Sequence, residues 1–271
     1  MKLSVLMSIY YKEEVAYFNR SMHSIWDDQI IKPDQIILIQ DGVLTDDLYN
    51  AITFWKNKLS KILVTIVLDE NMGLARALNV GLKYCDGNFI ARMDTDDISL
   101  PDRFKDQMIF LKENPEVDVV GSYISEIDDN DIIIKKVVKF PLTHDRLLEF
   151  FKRRDPVAHP SVMFRKSYFK KAGFYNEKYK LCQDTMLWYQ GFMSDCRFAN
   201  IDSVGLMFRR TKLFYKRRAD LDKSVLILKT RIFTINRNLK YGLIADFYAV
   251  IYFLISISPA LVKKILYKLL R

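Results

Sequence analysis

The alternation of short apolar runs with longer amphipathic stretches over the first 120 residues constrains this chain more than any other feature. Residues 3–9, 35–40, 64–68 and 88–93 read as strands, each rich in Val, Ile and Leu and closed by polar or turn residues. Helical spacing occupies 15–26, 46–60 and 73–84 between them. Strands that are apolar nearly throughout must be covered on both faces, which predicts a mostly parallel, Rossmann-like α/β sheet flanked by helices. In such a sheet the strand C-terminal ends share one edge, and ligands bind there. Further along, a helix is expected from Pro101 to about Glu113, and strands at 117–122, 132–140 (antiparallel) and 161–164. Helices are expected at 143–151, 166–172 and 183–194.

Charge divides the chain unevenly. Residues 1–204 carry 27 Lys/Arg against 30 Asp/Glu, whereas residues 205–271 carry 15 against 3. The net +9 therefore resides wholly in the last quarter, as a solvated basic helix or a surface for an anionic partner. Cys85, Cys182 and Cys196 show no metal-type spacing, and so sparse and odd a set fits a reducing compartment. The apolar start Met1-Lys2-Leu3-Ser4-Val5 lacks a long hydrophobic region and a small-residue cleavage site. It reads as a buried first strand of a cytoplasmic protein.

Residues that follow the strands carry the candidate chemistry. Asp94-Thr95-Asp96-Asp97 comes directly after the fourth apolar run. Carboxylates so close repel one another unless a cation relieves them. Asp94 and Asp96 project to one side of an extended segment and suit Mg²⁺ or Mn²⁺ shared with substrate phosphates, an ion that would neutralise a departing diphosphate. An Asp-rich turn before the next helix is the plainer reading. Asp41, at the end of the second strand, is either an ordinary Asp-Gly turn residue or an acceptor for a base or ribose. Asn71 caps the helix that follows the third strand, Gly73 and Gly81 serve capping and close packing, and Arg76 is placed to meet a diphosphate or stack on a base. His159 is a metal or phosphate ligand or a hydrogen-bonded structural histidine. Asp184 begins a helix as a cap, or, facing a metal diphosphate across a cleft, acts as general base.

Taken in order, these pieces resemble a bacterial family 2 glycosyltransferase with the GT-A fold. The matching segments are Ser4-Val5-Leu6-Met7-Ser8-Ile9-Tyr10, Gln40-Asp41-Gly42, residues 71–81, residues 93–97 with Leu100-Pro101-Asp102-Arg103, Ala158-His159-Pro160-Ser161, Ala172-Gly173-Phe174-Tyr175 and Gln183-Asp184. The resemblance implies that the backbone at Ile9 and Tyr10, with Asp41 and Arg76, holds a uridine. It further implies that Asp94 contacts the ribose, Asp96 binds the metal and Asp184 is the base of an inverting transfer giving a β-linkage; Asp97 is left to cap the following turn. Tyr11, Gln40 and Gln183 depart from the family's usual residues. The pattern of processive polysaccharide synthases is absent, Phe208-Arg209-Arg210-Thr211 standing near its place, so one sugar per acceptor is expected.

On this reading residues 1–210 form the catalytic domain, with 1–97 for the nucleotide sugar and 98–210 for the acceptor, and 211–271 form a C-terminal helical, basic and amphipathic extension. In the extension, residues 243–262 are largely apolar with aromatics interleaved, broken by Asp246 and Pro259 and followed by Lys263, Lys264, Lys268 and Arg271. That pattern fits an interfacial helix on the inner face of the cytoplasmic membrane, with a bilayer span or burial on the domain as alternatives. The acceptor expected there is a polyprenyl-diphosphate-linked sugar such as GlcNAc-diphospho-undecaprenol, and the donor UDP-galactose or UDP-glucose. A nucleotidyltransferase would carry a Gly-rich loop where Tyr10-Tyr11-Lys12-Glu13-Glu14 stands. A non-enzymatic membrane or nucleic-acid module would leave Asp94, Asp96, Asp97 and Asp184 without purpose, so no nucleic-acid partner is expected.

Overall fold

A computed structural model describes residues 1–179, 181–211 and 221–258. Four strands, β1 (Leu3–Ile9), β2 (Gln35–Asp41), β3 (Leu63–Leu68) and β4 (Phe89–Arg92), pair in parallel in the order β3-β2-β1-β4. Val5 is the centre of this half, lying opposite Ile36 on one side and Ala91 on the other. The helices between them are α1 (Val15–Ile25), α2 (Asp46–Leu59) and α3 (Leu74–Tyr84).

Because side chains alternate along a strand, each strand supplies both faces. Leu3, Val5, Met7 and Ile9 of β1 join Phe18, Met22, Leu48 and Trp55 of α1 and α2 in one apolar cluster. Leu6, Ile37 and Ile39 turn the other way, onto Ala77, Leu78 and Leu82 of α3. Gly81 makes this second contact possible, since a Cβ there would lie 2.4 Å from Leu6 Cδ1.

The chain winds outward from β1 to β3, then returns to the opposite side of β1 as β4. That reversal leaves a crevice between the C-terminal ends of β1 and β4, the standard ligand position in open α/β sheets. Beyond β4 the sheet becomes mixed. A two-residue β5 (Ile98–Ser99) and helix α4 (Arg103–Glu113) precede the long β6 (Val117–Ile127), which pairs antiparallel with β7 (Ile133–Val138) and β8 (Met163–Arg165). Helices α5 (His144–Phe151), α6 (Tyr168–Lys171) and α7 (Gln183–Met193) cover this half. The last strand, β9 (Arg197–Arg209), runs parallel to β6 and closes on β5.

The last two helices, α8 (Leu221–Lys229) and α9 (Leu243–Ile257), are joined through a π-helical stretch, Thr230–Asn236. Ile235 enters the second apolar cluster, and Ile227, Leu239 and Tyr241 pack against it. The Tyr241 hydroxyl donates to the Leu148 carbonyl at 2.7 Å. Asp246, read above as an interruption, accepts the Asn236 amide at 2.9 Å. One side of α9 buries Ala245, Ala249 and Ser256, while Leu243, Phe247 and Leu254 are 82%, 63% and 56% exposed. Among the described residues no helix is long and apolar enough to cross a membrane. The expected apolar stretch 259–262, with Pro259 and the basic residues after it, falls outside the described residues, as does residues 212–220 of the basic segment.

Candidate active site

Ile9 is buried at the end of β1, and Tyr10 follows it into the crevice with its ring edge-on to Tyr11 at 5.8 Å. Asp41 ends β2 and is buried, its two carboxylate oxygens accepting the Met72 N–H at 2.7 Å and the Gly73 N–H at 3.0 Å. The turn after it is a necessity of packing: Gly42 has φ +85°, and a Cβ there would sit 2.6 Å from the Asn71 nitrogen. Asn71 does not cap α3 as expected. Its amide donates to the Asp41 carbonyl at 3.2 Å, and the N-cap is Gly73 at φ +85°. The Asp41 carboxylate of β2 takes the Met72 and Gly73 N–H groups instead.

Arg76 is half-exposed on the first turn of α3 and pairs with Glu177 at 3.3 Å. Asn79 holds the same loop, donating to Glu177 Oε1 and to the Tyr175 carbonyl at 2.8 Å and accepting the Tyr175 N–H at 2.9 Å. The Asn79 amide, then Arg76, keep the Glu177 carboxyl below its usual range. Glu177 was not singled out by sequence, since nothing local marks it.

The acidic cluster sits on the β1–β4 crevice. Oxygens of Asp94, Asp96 and Asp97 all lie within 4.8 Å of one another. The Thr95 side chain turns away and donates to Glu13 at 2.5 Å, bringing a fourth carboxylate near. Burial, then Asp94 and Glu13, push Asp96 up to about 7. Burial, then Asp96 and Asp94, raise Asp97 well above the carboxylate range. Asp97 does not cap the following turn: its Oδ1 accepts the Arg209 N–H of β9 at 2.8 Å, and its buried Oδ2 has no partner. Arg209 further donates to the Asp96 carbonyl at 2.7 Å and to the Asp128 carbonyl at 2.9 Å, pairs with Asp131 at 2.5 Å and lies 4.1 Å from the Tyr17 ring.

Arg92, last residue of β4, is the cation buried behind the cluster. It pairs with Asp94 and keeps two nitrogens, Nε and Nη1, without partners. Arg103 of α4 braces it from below, donating to the Arg92 carbonyl at 2.7 Å; burial, then Arg92, bring the Arg103 pKa down to about 9. Asp184 faces the same cation from the first turn of α7, where Cys182 rather than Asp184 is the N-cap. One Asp184 oxygen accepts the Thr185 N–H at 2.8 Å, and burial, then Asp155, push its pKa up to about 6. A carboxyl poised there gains or loses a proton at neutral pH, as a general base requires.

His159 does not join the acidic cluster, contrary to the metal-ligand expectation. Its Nε2 is hydrogen-bonded to the Tyr175 hydroxyl at 2.7 Å, with the rings of Tyr175 and Trp188 edge-on around it. Burial, then Arg92, hold it well below the usual histidine pKa, so it stays neutral. Arg92 and Glu13 were overlooked in the sequence. Both lie within a few residues of a strand end, but only the fold turns them toward Asp94 and Thr95.

Three hard oxygen donors within reach of one another, one of them buried without a partner and two resisting ionisation, fit a divalent cation. A mostly parallel sheet with such a cluster at its switch point, and a buried, titratable carboxylate at the start of α7, fits a glycosyltransferase of the GT-A fold. The chain belongs to glycosyltransferase family 2, whose model matches residues 4–173. It is 33% identical over 233 residues, 85% of this chain and 82% of the relative, to the UDP-Gal:alpha-D-GlcNAc-diphosphoundecaprenol beta-1,3-galactosyltransferase of Escherichia coli. It is 34% identical to the amylovoran biosynthesis glycosyltransferase AmsE of Erwinia amylovora, over 76% of this chain and 75% of that one. Among solved structures, S. aureus TarS superposes with a TM-score of 0.62 at 21% identity, covering 89% of this chain but only 44% of TarS.

Proposed function

We propose that the protein transfers a single hexose, galactose or glucose, from a UDP-sugar to a GlcNAc-diphospho-undecaprenol-type acceptor. The transfer inverts the anomeric centre and gives a β-linkage, β-1,3 by analogy with the Escherichia coli relative. Surface-polysaccharide repeat units are the product class to which such a step belongs. The observation that supports the mechanism is that Asp96 in the acidic cluster and Asp184 on α7 both feel one buried cation, Arg92.

The uridine lies along Ile9, Tyr10 and Asp41, with Arg76 near the diphosphate and Asp94 toward the ribose. Asp96, with Asp94 and Asp97 beside it, would hold Mn²⁺ or Mg²⁺, which supplies charge neutralisation for the leaving diphosphate. Asp184 removes the proton of the acceptor hydroxyl as the new C–O bond forms, and the bond to the UDP oxygen breaks on the opposite face. Residues 1–210 carry this chemistry. The exposed ridge of α9 rests on the inner leaflet of the cytoplasmic membrane, where a lipid-linked acceptor lies, and the net positive charge of residues 205–271 favours an anionic surface.

A panel of UDP-sugars with a synthetic GlcNAc-diphospho-lipid tests the reading, the product linkage being solved by NMR. Transfer from UDP-galactose or UDP-glucose is expected, with a loss of roughly 10²-fold or more in Asp96→Ala and in Asp184→Ala. Metal-independent transfer, or full activity in either variant, would overturn the mechanism.

A further inference from the structure

Asp155 lies in the loop between α5 and β8. Both its oxygens accept the Thr185 hydroxyl, at 2.9 and 3.0 Å. The cation facing it comes from far along the chain. Arg231, in the π-helical stretch, donates through Nη2 to Asp155 Oδ1 at 2.8 Å. Its Nη1 donates to the Phe151 carbonyl at 2.6 Å, and its guanidinium lies 4.6 Å from the Phe151 ring. Two hydrogen bonds and a ring face allow the buried guanidinium one orientation. Thr185 is thereby held at both ends, its hydroxyl by Asp155 and its N–H by Asp184 Oδ1.

We infer that Arg231 is a positioning residue for sugar transfer: through Asp155 and Thr185 it orients the Asp184 carboxylate and balances the second carboxylate beside it. The inference rests on reading Asp184 as the base. Two neighbouring carboxylates disfavour each other's ionisation, and a base must be ionised to accept a proton. Asp184 also faces Arg92 from β4, Tyr175 from the loop after α6 and Cys182 from the turn before α7. Burial keeps the Tyr175 hydroxyl and the Cys182 thiol neutral near pH 7, so Asp155 and Arg92 are the charges that act on Asp184, and Arg231 acts through its ion pair with Asp155. Arg231 lies well beyond residue 173, where the family match ends. The C-terminal segment is thus part of the reaction centre as well as a surface for docking. The π-helical winding that brings Arg231 inward is of a kind that recurs at functional sites.

The test uses the full chain and follows kcat and donor KM from acid to alkaline pH, with Tm as the check on folding. In Arg231→Met, kcat near neutral pH is expected to fall about tenfold with donor KM within about twofold, and the acid limb of kcat to move up by about one pH unit. Arg231→Lys restores most of the rate. Asp155→Asn, with Arg231 in place, moves the acid limb down, and combined with Arg231→Met it reverses the upward shift. An acid limb unmoved in both Arg231→Met and Asp155→Asn, or a loss of the same factor at every pH, overturns the inference. Should Arg231→Met fail to fold, the Asp155→Asn shift and the Arg231→Lys rate decide. Asp184→Asn separates the two readings. If it still transfers sugar, the base assignment falls; if it is inactive while the acid limbs stay put, only the role of Arg231 falls.

Discussion

Arg92 organises the site at the scale of single residues. It is buried beside Asp94, and it draws down His159 while favouring the ionised form of Asp184. One cation cannot satisfy all the carboxylates around it, and Asp96 and Asp97 retain raised pKa values. Asp96 takes up its proton at about 7 in the folded chain against an ordinary 3.8, so between these values the folded state holds more protons than the unfolded one. Stability of the metal-free protein therefore falls as pH rises through that window, by on the order of 1 kcal/mol per unit while Asp96 alone ionises. Buried neutral His159 acts in the opposite sense below its ordinary 6.5, so the effect is to be sought above that value. Thermal unfolding should show a Tm lower at pH 8 than at pH 6.5, and Mn²⁺ should raise Tm more at the higher pH. A Tm that climbs over this interval, with no response to Mn²⁺, would count against the cluster as a metal site.

At the scale of elements, the site is held by joints between a strand end and the start of another segment. The Asp41-Gly42 turn locks β2 onto the loop before α3: Asp41 takes the two free N–H groups, and Gly42 lets the backbone of residues 70–71 approach. Gly42→Ala must meet that backbone and also adopt a φ of +85°. A loss of about 2–3 kcal/mol in chemical denaturation is expected, with a rise in donor KM as the loop shifts. If the variant unfolds like the parent, the loop is looser than the contacts imply. β9 makes the second joint. Its closing residue Arg209 donates to the Asp96 carbonyl and to the Asp97 carboxylate, so the acidic turn is braced from the far end of the sheet.

At the scale of the whole molecule, the C-terminal helices face two ways. One side of the segment fills the second apolar cluster through Ile235 and pairs with Asp155 through Arg231. The outer ridge of α9 presents Leu243, Ile244, Phe247, Leu254 and Ile257 to solvent. A helix of 15 residues is about 22 Å long, short of the roughly 30 Å hydrocarbon core, so lying flat is the geometry it suits. Co-sedimentation of the intact chain with vesicles containing anionic lipid should fall at least about fivefold in Phe247→Glu/Leu254→Glu, with Tm largely retained, because both side chains are more than half exposed. Equal binding by the double variant would leave the basic residues alone responsible, or the membrane reading mistaken.

Local pattern reached as far as local physics does. Short, nearly continuous apolar runs and period-3.6 apolar spacing placed the parallel strands, the helices between them and the acidic turn at a strand end, because a strand covered on both faces and a helix covered on one impose those patterns on any such chain. β9 escaped notice, since Asn200, Asp202 and Ser203 break its apolar alternation and its pairing with β6 is what makes it a strand. Asp41 and Asp184 were legible as candidates, but their partners were not. Met72 and Gly73 for Asp41, Arg92 and Asp155 for Asp184, and Tyr175 for His159 arrive from other elements. By itself the sequence determined which residue types stand at the sheet edge and in what order. Only the tertiary structure decided which charges face one another and how deeply they are buried. Pairing and desolvation set a carboxylate's pKa, and both depend on groups separated by tens of residues along the chain.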